Sequence, residues 1–236
     1  MGIVKHELFD LVVSTGAAIA VVALPTLALA GQNVVYVESI SRSTGPSLTG
    51  RAMALAPRVK TLGQYEAWAG GAWKYGGSVL DDYSVDAAPE STGPRRVFVT
   101  LGTIRPYRFD RAVDAVLSAL RDDDEVVWQL GATARSDLPG AVFDEMPAHD
   151  IRRRMIEADV VVTHAGVGSV LGALDAGKAP VLVVRRRKHG EHVDDHQAGI
   201  AEVMSRRGLA LELDPDRPRP DALDAARSRR VVIRSA

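Results

Sequence analysis

THAGVGSVLGALDAGKAPVLVVRRRKHGEHVDDHQ, residues 163–197, changes character several times along its length. A buried-type strand from Asp159 to Thr163 runs into His164-Ala165-Gly166-Val167-Gly168-Ser169, and an Ala/Leu-rich helix follows. That is the outline of a phosphate cradle: glycine lets the backbone approach an anion, and the positive end of the next helix stabilises its charge. A second strand, Pro180 to Val184, leads into a far more polar loop, Arg185 to Lys188 and then His189 to Gln197. Two consecutive strand ends therefore deliver polar groups to one edge, where open parallel sheets bind their ligands.

Composition bounds what such a site belongs to. The chain has 236 residues, 46% of them hydrophobic and 25% charged, which is the make-up of a soluble globular protein with one large or two small domains. A net charge of −1 argues against a general nucleic-acid binder, and no nucleic-acid partner is expected. With no cysteine there is no disulfide framework and no thiolate metal site, and a cytoplasmic location is allowed. Three of the six histidines fall within residues 189–196.

Working outward to the N-terminus, Leu11 to Ala30 is a mostly apolar run ending in Ala28-Leu29-Ala30. Three readings compete: a secretory signal, a membrane span, or a βαβ unit. Glu7 and Asp10 beside Lys5 count against a signal, and Ser14-Thr15-Gly16 with Pro25 count against a span. The βαβ reading fits better: a strand Leu11 to Ser14, a turn at Thr15-Gly16, a helix Ala17 to Ala30, Gly31 as its stop, and a strand Val34 to Val37. Glu38 to Ser43 and Gly45 to Arg51 then read as a polar, turn-rich loop, in which Glu38 and Arg42 either carry function or simply pair with each other. Residues 52–80, with Trp68 and Trp73, resist assignment.

Asp81 to Pro94, acidic and flanked by proline, is expected to link two domains, residues 1–80 and 95–236. After it the pattern restarts. Strands are expected at Val97 to Leu101, Val126 to Leu130, 160–163, 181–184 and Leu209 to Leu213. Helices are expected at Phe109 to Leu120, Ile151 to Ala158, after Val193 and after Pro220. This alternation predicts an α/β fold with parallel sheets and helices on both faces.

Four segments, VFVTLGT (97–103), ADVVVTHAGVGS (158–169), AGKAP (176–180) and GEHVDDHQ (190–197), resemble the C-terminal, nucleotide-sugar-binding domain of family 28 glycosyltransferases of the GT-B fold. Three N-terminal segments, DLVVSTGAA (10–18), VYVESISR (35–42) and SLTGR (47–51), resemble the later half of a membrane-anchoring partner subunit found in the same family. The chain thus looks like a fusion of an anchoring half and a soluble catalytic subunit of a lipid-linked-oligosaccharide N-acetylglucosamine transferase, with bacterial exopolysaccharide relatives. The resemblance implies two Rossmann-like domains, the N-terminal one incomplete and on the acceptor side. It also implies an inverting transfer of a hexose or N-acetylhexosamine, N-acetylglucosamine foremost, from a UDP-sugar to a lipid-linked saccharide. A peripheral position at the inner face of the plasma membrane follows from it, as does a partner subunit supplying what the first domain lacks. A non-catalytic nucleotide-sugar-binding or scaffold subunit is the alternative. No cofactor is implied.

Residue by residue, the resemblance places the donor at Gly102, Thr103, His164, Ala165, Gly166, Gly168, Ser169, Arg186, Glu191, His192, Asp195, His196 and Gln197. Backbone N–H groups and the Thr103 and Ser169 hydroxyls suit a diphosphate. Glu191 or Asp195 suits ribose or sugar hydroxyls, as does His196 or Gln197. Ser14, Thr15, Gly16, Glu38, Ser39 and Arg42 form the acceptor side. The catalytic base is unassigned, with His164, Glu191 and Glu38 as candidates for a catalytic role. In many relatives a glutamate holds the ribose where this chain has Gly172. Competing readings stand beside these: His164 as an ordinary buried histidine, His189, His192 and His196 with Asp194 and Asp195 as a zinc site, and Arg185 to Lys188 as a solvated run, a phosphate clamp or a contact with anionic lipid. Arg152 to Arg154 read as the wet face of a helix.

Overall fold

A computed structural model describes residues 9–193 and 196–234, His196 by its backbone alone. The chain divides into two compact units, residues 1–81 and 82–236.

In the first unit, β1 (Val12–Ser14), α1 (Ala20–Leu29), β2 (Val34–Val37), α2 (Leu48–Leu55), β3 (Val59–Gly63) and β4 (Trp73–Tyr75) follow one another. The strands form a parallel sheet in the order β1-β2-β3-β4. The expected βαβ unit is present, with its helix starting three residues late. Gly16 (φ +129°) and Ala17 (φ 69°) form a left-handed turn that the helix cannot include. Gly31 (φ +89°) ends it, as expected, and the Gln32 N–H donates to the Leu27 carbonyl. Ala20, Leu24 and Ala28 of α1 pack on Val34, Tyr36, Met53 and Trp73. Trp73 thereby joins the core, edge-on to both Tyr36 and Trp68. Among the described residues no helix is long and apolar enough to cross a membrane.

One loop expectation is corrected here. Residues 48–51, read as the end of a turn-rich loop, already belong to α2, whose N-cap Ser47 accepts the Gly50 N–H at 3.0 Å. Thr49-Gly50 looks like a turn in sequence, but Gly50 is helical, and a Cβ there would collide with the Glu38 carboxylate.

The second unit runs β5 (Tyr83–Ala87), β6 (Arg96–Thr100), α3 (Asp110–Ala119), β7 (Glu125–Gln129), β8 (Ala141–Phe143), α4 (Ala148–Glu157), β9 (Val160–His164), α5 (Val167–Asp175), β10 (Val181–Val183), α6 (His196–Arg206), β11 (Leu211–Glu212), α7 (Ala222–Arg227) and β12 (Arg229–Ile233). Its main sheet is parallel, in the order β11-β10-β9-β6-β7-β8. That is the doubly wound arrangement, and its direction of winding reverses between β6 and β9. The central strands β6, β9 and β10 are buried on both faces, which is why they read as unbroken apolar runs. One face packs Val97, Val99, Val160 and Val162 on α3 and α7, and the other packs Phe98 and Val161 on Met155 and Ala173.

The linker expectation is corrected as well. Within residues 81–94, Tyr83–Ala87 form β5, paired antiparallel with β12, a strand that the sequence reading did not anticipate. Arg230 lies opposite Asp86 in that ladder. Neither segment is apolar enough to announce a strand alone, and their pairing is nonlocal, so each supplies what the other's local sequence lacks.

Candidate functional site

The sheet reversal brings two glycine loops side by side, since β6 and β9 are hydrogen-bonded neighbours and each ends in one. After β6 the chain turns through Gly102 (φ +74°), leaving Thr103 exposed. After β9 it passes His164 and the buried Ala165 to Gly166, the N-cap of α5. No side chain caps that helix, and the first bond of its own runs from the Val170 N–H to the Gly166 carbonyl. The backbone N–H groups of Val167, Gly168 and Ser169 are therefore the helix's uncapped positive end.

His164 sits in a slot made of glycine. A Cβ on Gly102 would lie 2.7 Å from the ring's Cε1 and 2.9 Å from Nε2, and one on Gly166 would also collide with Nε2. Gly131 (φ +64°) supports this wall in turn, because a Cβ there would strike the Gly102 carbonyl oxygen. The glycines thus clear space for one imidazole between two loops. Desolvation, and then the Arg185 charge, push the His164 pKa down to about 4. At neutral pH the ring is uncharged, with one N–H to donate and one nitrogen to accept. Beside the loop, Gly168, Ser169 and Gly172 line a cavity of about 290 Å³ against Ile151, Arg152 and Met155 of α4. A side chain at Gly172 would grow toward Met155 Sδ, 3.4 Å from its Cβ position.

The loop after β10 departs from expectation. Arg185 is not part of a solvated run: it is fully buried, whereas Arg187 and Lys188 are exposed. Glu191, expected to accept ribose or sugar hydroxyls, is also buried and already held. Its Oε1 accepts Arg111 Nε at 2.8 Å, and its Oε2 accepts the Arg186 N–H at 2.9 Å and Arg111 Nη2 at 3.3 Å. The carboxylate thus anchors its own loop to α3. Gln197, likewise buried, accepts the Arg185 N–H at 3.4 Å through Oε1. The Arg186 side chain lines a cavity of about 380 Å³ with Lys188 and Asp216, and His192 lies against Tyr107 with ring centroids 6.3 Å apart. Asp194, Asp195 and the His196 side chain fall outside the described residues. Arg111 and Gly131 were missed from sequence: Gly131, directly after a strand, carried a readable signal, and Arg111 carried none.

In the first unit, Ser14-Thr15-Gly16 and Glu38-Ser39 lie at the C-terminal ends of the adjacent parallel strands β1 and β2. Ser14 Oγ accepts the Gly16 N–H at 3.3 Å, and Thr15 is exposed. Glu38 is only 2% exposed and accepts four bonds: Tyr36 hydroxyl at 3.2 Å, Ser39 N–H at 3.0 Å, and the Ser47 N–H and hydroxyl at 2.8 and 2.9 Å. Four donors fill a carboxylate's acceptor capacity, so Glu38 organises the loop between β2 and α2 rather than standing open as a base. The Arg42 carbonyl accepts Trp68 Nε1 at 3.1 Å.

A model of the glycosyltransferase family 28 C-terminal domain matches residues 96–214, just over half the chain and the whole of the switch-point site. This chain belongs to that family. Over 68 residues the chain is 45% identical to the UDP-N-acetylglucosamine transferase subunit ALG13 of Yarrowia lipolytica, covering 28% of this chain and 33% of that protein. Over 159 residues the chain is 30% identical to the UDP-N-acetylglucosamine--N-acetylmuramyl-(pentapeptide) pyrophosphoryl-undecaprenol N-acetylglucosamine transferase of Cupriavidus necator, covering 60% of this chain and 42% of that one. The chain therefore spans well under half the length of these curated relatives. Among solved structures it resembles MurG of Acinetobacter baumannii (TM-score 0.57, 17% identity, 92% of this chain and 63% of that one) and the glycosyltransferase SnogD of Streptomyces nogalater (TM-score 0.56, 21% identity, 92% and 65%). These likenesses carry the fold, an α/β architecture of the GT-B class.

Proposed function

We propose that the chain is a glycosyltransferase that takes a hexose or N-acetylhexosamine, N-acetylglucosamine foremost, from UDP to a lipid-linked saccharide with inversion at the anomeric carbon. The observation that carries this reading is the pair of glycine loops at the switch point with a neutral His164 between them. The uncapped N–H groups of Val167 to Ser169 and the Thr103 and Ser169 hydroxyls would hold the diphosphate, and the His164 N–H would donate to it. The acceptor hydroxyl attacks the anomeric carbon as the bond to the UDP oxygen breaks. A general base takes the hydroxyl proton, and the fixed donors hold the charge left on UDP. The relatives' names supply the donor and the polyprenyl diphosphate character of the acceptor.

Titrating the protein calorimetrically with UDP, GDP, UDP-N-acetylglucosamine and UDP-glucose tests this. Saturable UDP binding is expected, weakened about tenfold or more, roughly 1.4 kcal/mol, by His164→Ala. No nucleotide binding by the folded protein would defeat the donor-site reading. Full donor affinity with turnover only after a second protein is added would favour the scaffold alternative.

The first unit would meet the acceptor at the inner membrane face. No charged residue occurs from Ala17 to Gly31, and Ile19, Val22 and Leu29 recur along one side of α1 at 76%, 72% and 64% exposure. Ile19→Glu with Val22→Glu is expected to weaken cosedimentation with anionic phospholipid vesicles by about tenfold or more. Equal cosedimentation of variant and parent would remove α1 from the contact.

A further inference from the structure

Arg185 is among the largest fully buried side chains of the protein, and no carboxylate pairs with its guanidinium among the described hydrogen bonds and ion pairs. It spends its donors on backbone instead. Nη2 donates to the Leu101 carbonyl at 2.8 Å, and Nη1 to the carbonyls of Glu191 at 2.9 Å and Tyr107 at 3.2 Å. The guanidinium carbon lies 4.5 Å from the centre of the Phe109 ring, a cation–π contact with the end of the loop after β6. One donor, Nε, is buried without a partner. Burying a cation this deeply is costly, and bonds that join two loops, together with the Phe109 ring, help offset that cost here. The loops are the ones after β6 and β10, and Leu101 is the residue directly before Gly102.

We propose that Arg185 is a positioning residue of the donor site, tying the loop after β6 to the loop after β10 so that Gly102 stays against the His164 ring. Its ligand, though not the clamp, rests on the donor-site reading above. Glu191 secures the other end of the β10 loop through Arg111, and Arg185 ties that loop to the residue directly before Gly102. Lysine cannot replace it fully, because one ammonium nitrogen does not reproduce a planar fork reaching the carbonyls of Leu101, Tyr107, Arg108 and Glu191.

The test uses Arg185→Met, which keeps an apolar stem on Phe109, and Arg185→Lys, which keeps the charge. Asp224→Asn, at the opposite edge of the sheet where Asp224 accepts from Arg95 and Arg121, serves as a control of reduced stability. Amide hydrogen exchange over residues 101–109 is expected to quicken in Arg185→Met well beyond the control, and UDP binding to weaken about tenfold or more. Arg185→Lys should fall between Arg185→Met and the parent protein, and it carries the test should Arg185→Met not fold. NMR titration of the His164 ring should show a higher pKa in Arg185→Met than in the control, a change that general loosening would not single out. Exchange over 101–109 no faster than in the control, with UDP affinity within about twofold of the parent protein, would overturn the proposal. Should the parent protein bind no UDP, the donor reading fails while the exchange comparison still decides the clamp.

Discussion

Arg95→Ala is expected to destabilise the second unit by about 3–5 kcal/mol. Arg95 lies directly before β6, is fully buried, and reaches Asp124 through Nη2 at 2.5 Å and Nε at 2.8 Å. Nη1 reaches Asp224 at 2.9 Å, and Nη2 also donates to the Ala119 carbonyl at 3.1 Å. The Asp124 side chain has no exposed surface either, so removing the arginine strands a buried carboxylate. A pair of this kind adds little when intact compared with apolar packing, yet breaking it leaves an uncompensated charge.

The pH dependence follows from the balance at Asp124. Burial pushes its pKa up, but the Arg95 side chain and the backbone N–H groups of Arg121 and Arg95 outweigh burial and hold it below 3.8. A depressed carboxylate contributes stability above its unfolded pKa and loses it as pH falls through the folded value. The gap between parent and variant should therefore be full at neutral pH and shrink at acidic pH as the Asp124 carboxylate protonates. Denaturant unfolding measures it, with Trp68→Phe and Trp73→Phe introduced so that fluorescence reports Trp128 in the second unit alone. A gap under about 1 kcal/mol at neutral pH would mean that water reaches Asp124 once the arginine is gone.

Gly166→Ala is expected to weaken UDP binding about tenfold or more, the same loss as His164→Ala. Gly166 has φ −79° and ψ 131°, which alanine adopts without strain, so the backbone offers no objection. The new methyl collides with His164 Nε2, on a ring that Gly102 also adjoins so closely that a Cβ there would lie 2.7 Å from Cε1. The effect must pass through the imidazole. Combining Gly166→Ala with His164→Ala should add nothing to the loss from His164→Ala alone, since the side chain that clashes has been removed. Additive losses would show that Gly166 itself contacts the nucleotide, and that His164 is bystander rather than donor.

Both effects come from residues whose chemistry is visible in sequence to different degrees. Gly166 stands out in a strand-glycine-helix pattern, although the pattern suggests room for an anion, not room for a histidine. Arg95 does not stand out, because one arginine beside another at the head of a strand looks like surface charge. Arg185 is the sharper case. Four consecutive cations, Arg185 to Lys188, read as a unit, whether a solvated run, a phosphate clamp or a lipid contact, yet the first is buried and two are exposed. Burial depends on what packs across from a residue, and Leu101, Tyr107 and Phe109 lie far from it in sequence. Glu191 and Glu38 were reasonable hydroxyl acceptors or bases by residue type. Both spend their oxygens on nearby N–H and O–H groups, a use that no local pattern records.

What this sequence determined by itself was periodicity and punctuation: apolar runs of strand length, helices between them, and glycines at the strand ends, which together imply a parallel α/β sheet with a polar edge. Those signals are local, since they arise from side-chain spacing along a strand or helix and from the conformations open to glycine. Tertiary structure decided the strand order that sets β6 beside β9, the antiparallel pairing of β5 with β12, and the wedging of His164 between two glycines. It also decided which cations and carboxylates are buried. These depend on contacts between residues distant along the chain, where the cost of desolvating a charge and the geometry of its partners, rather than residue type, select the outcome.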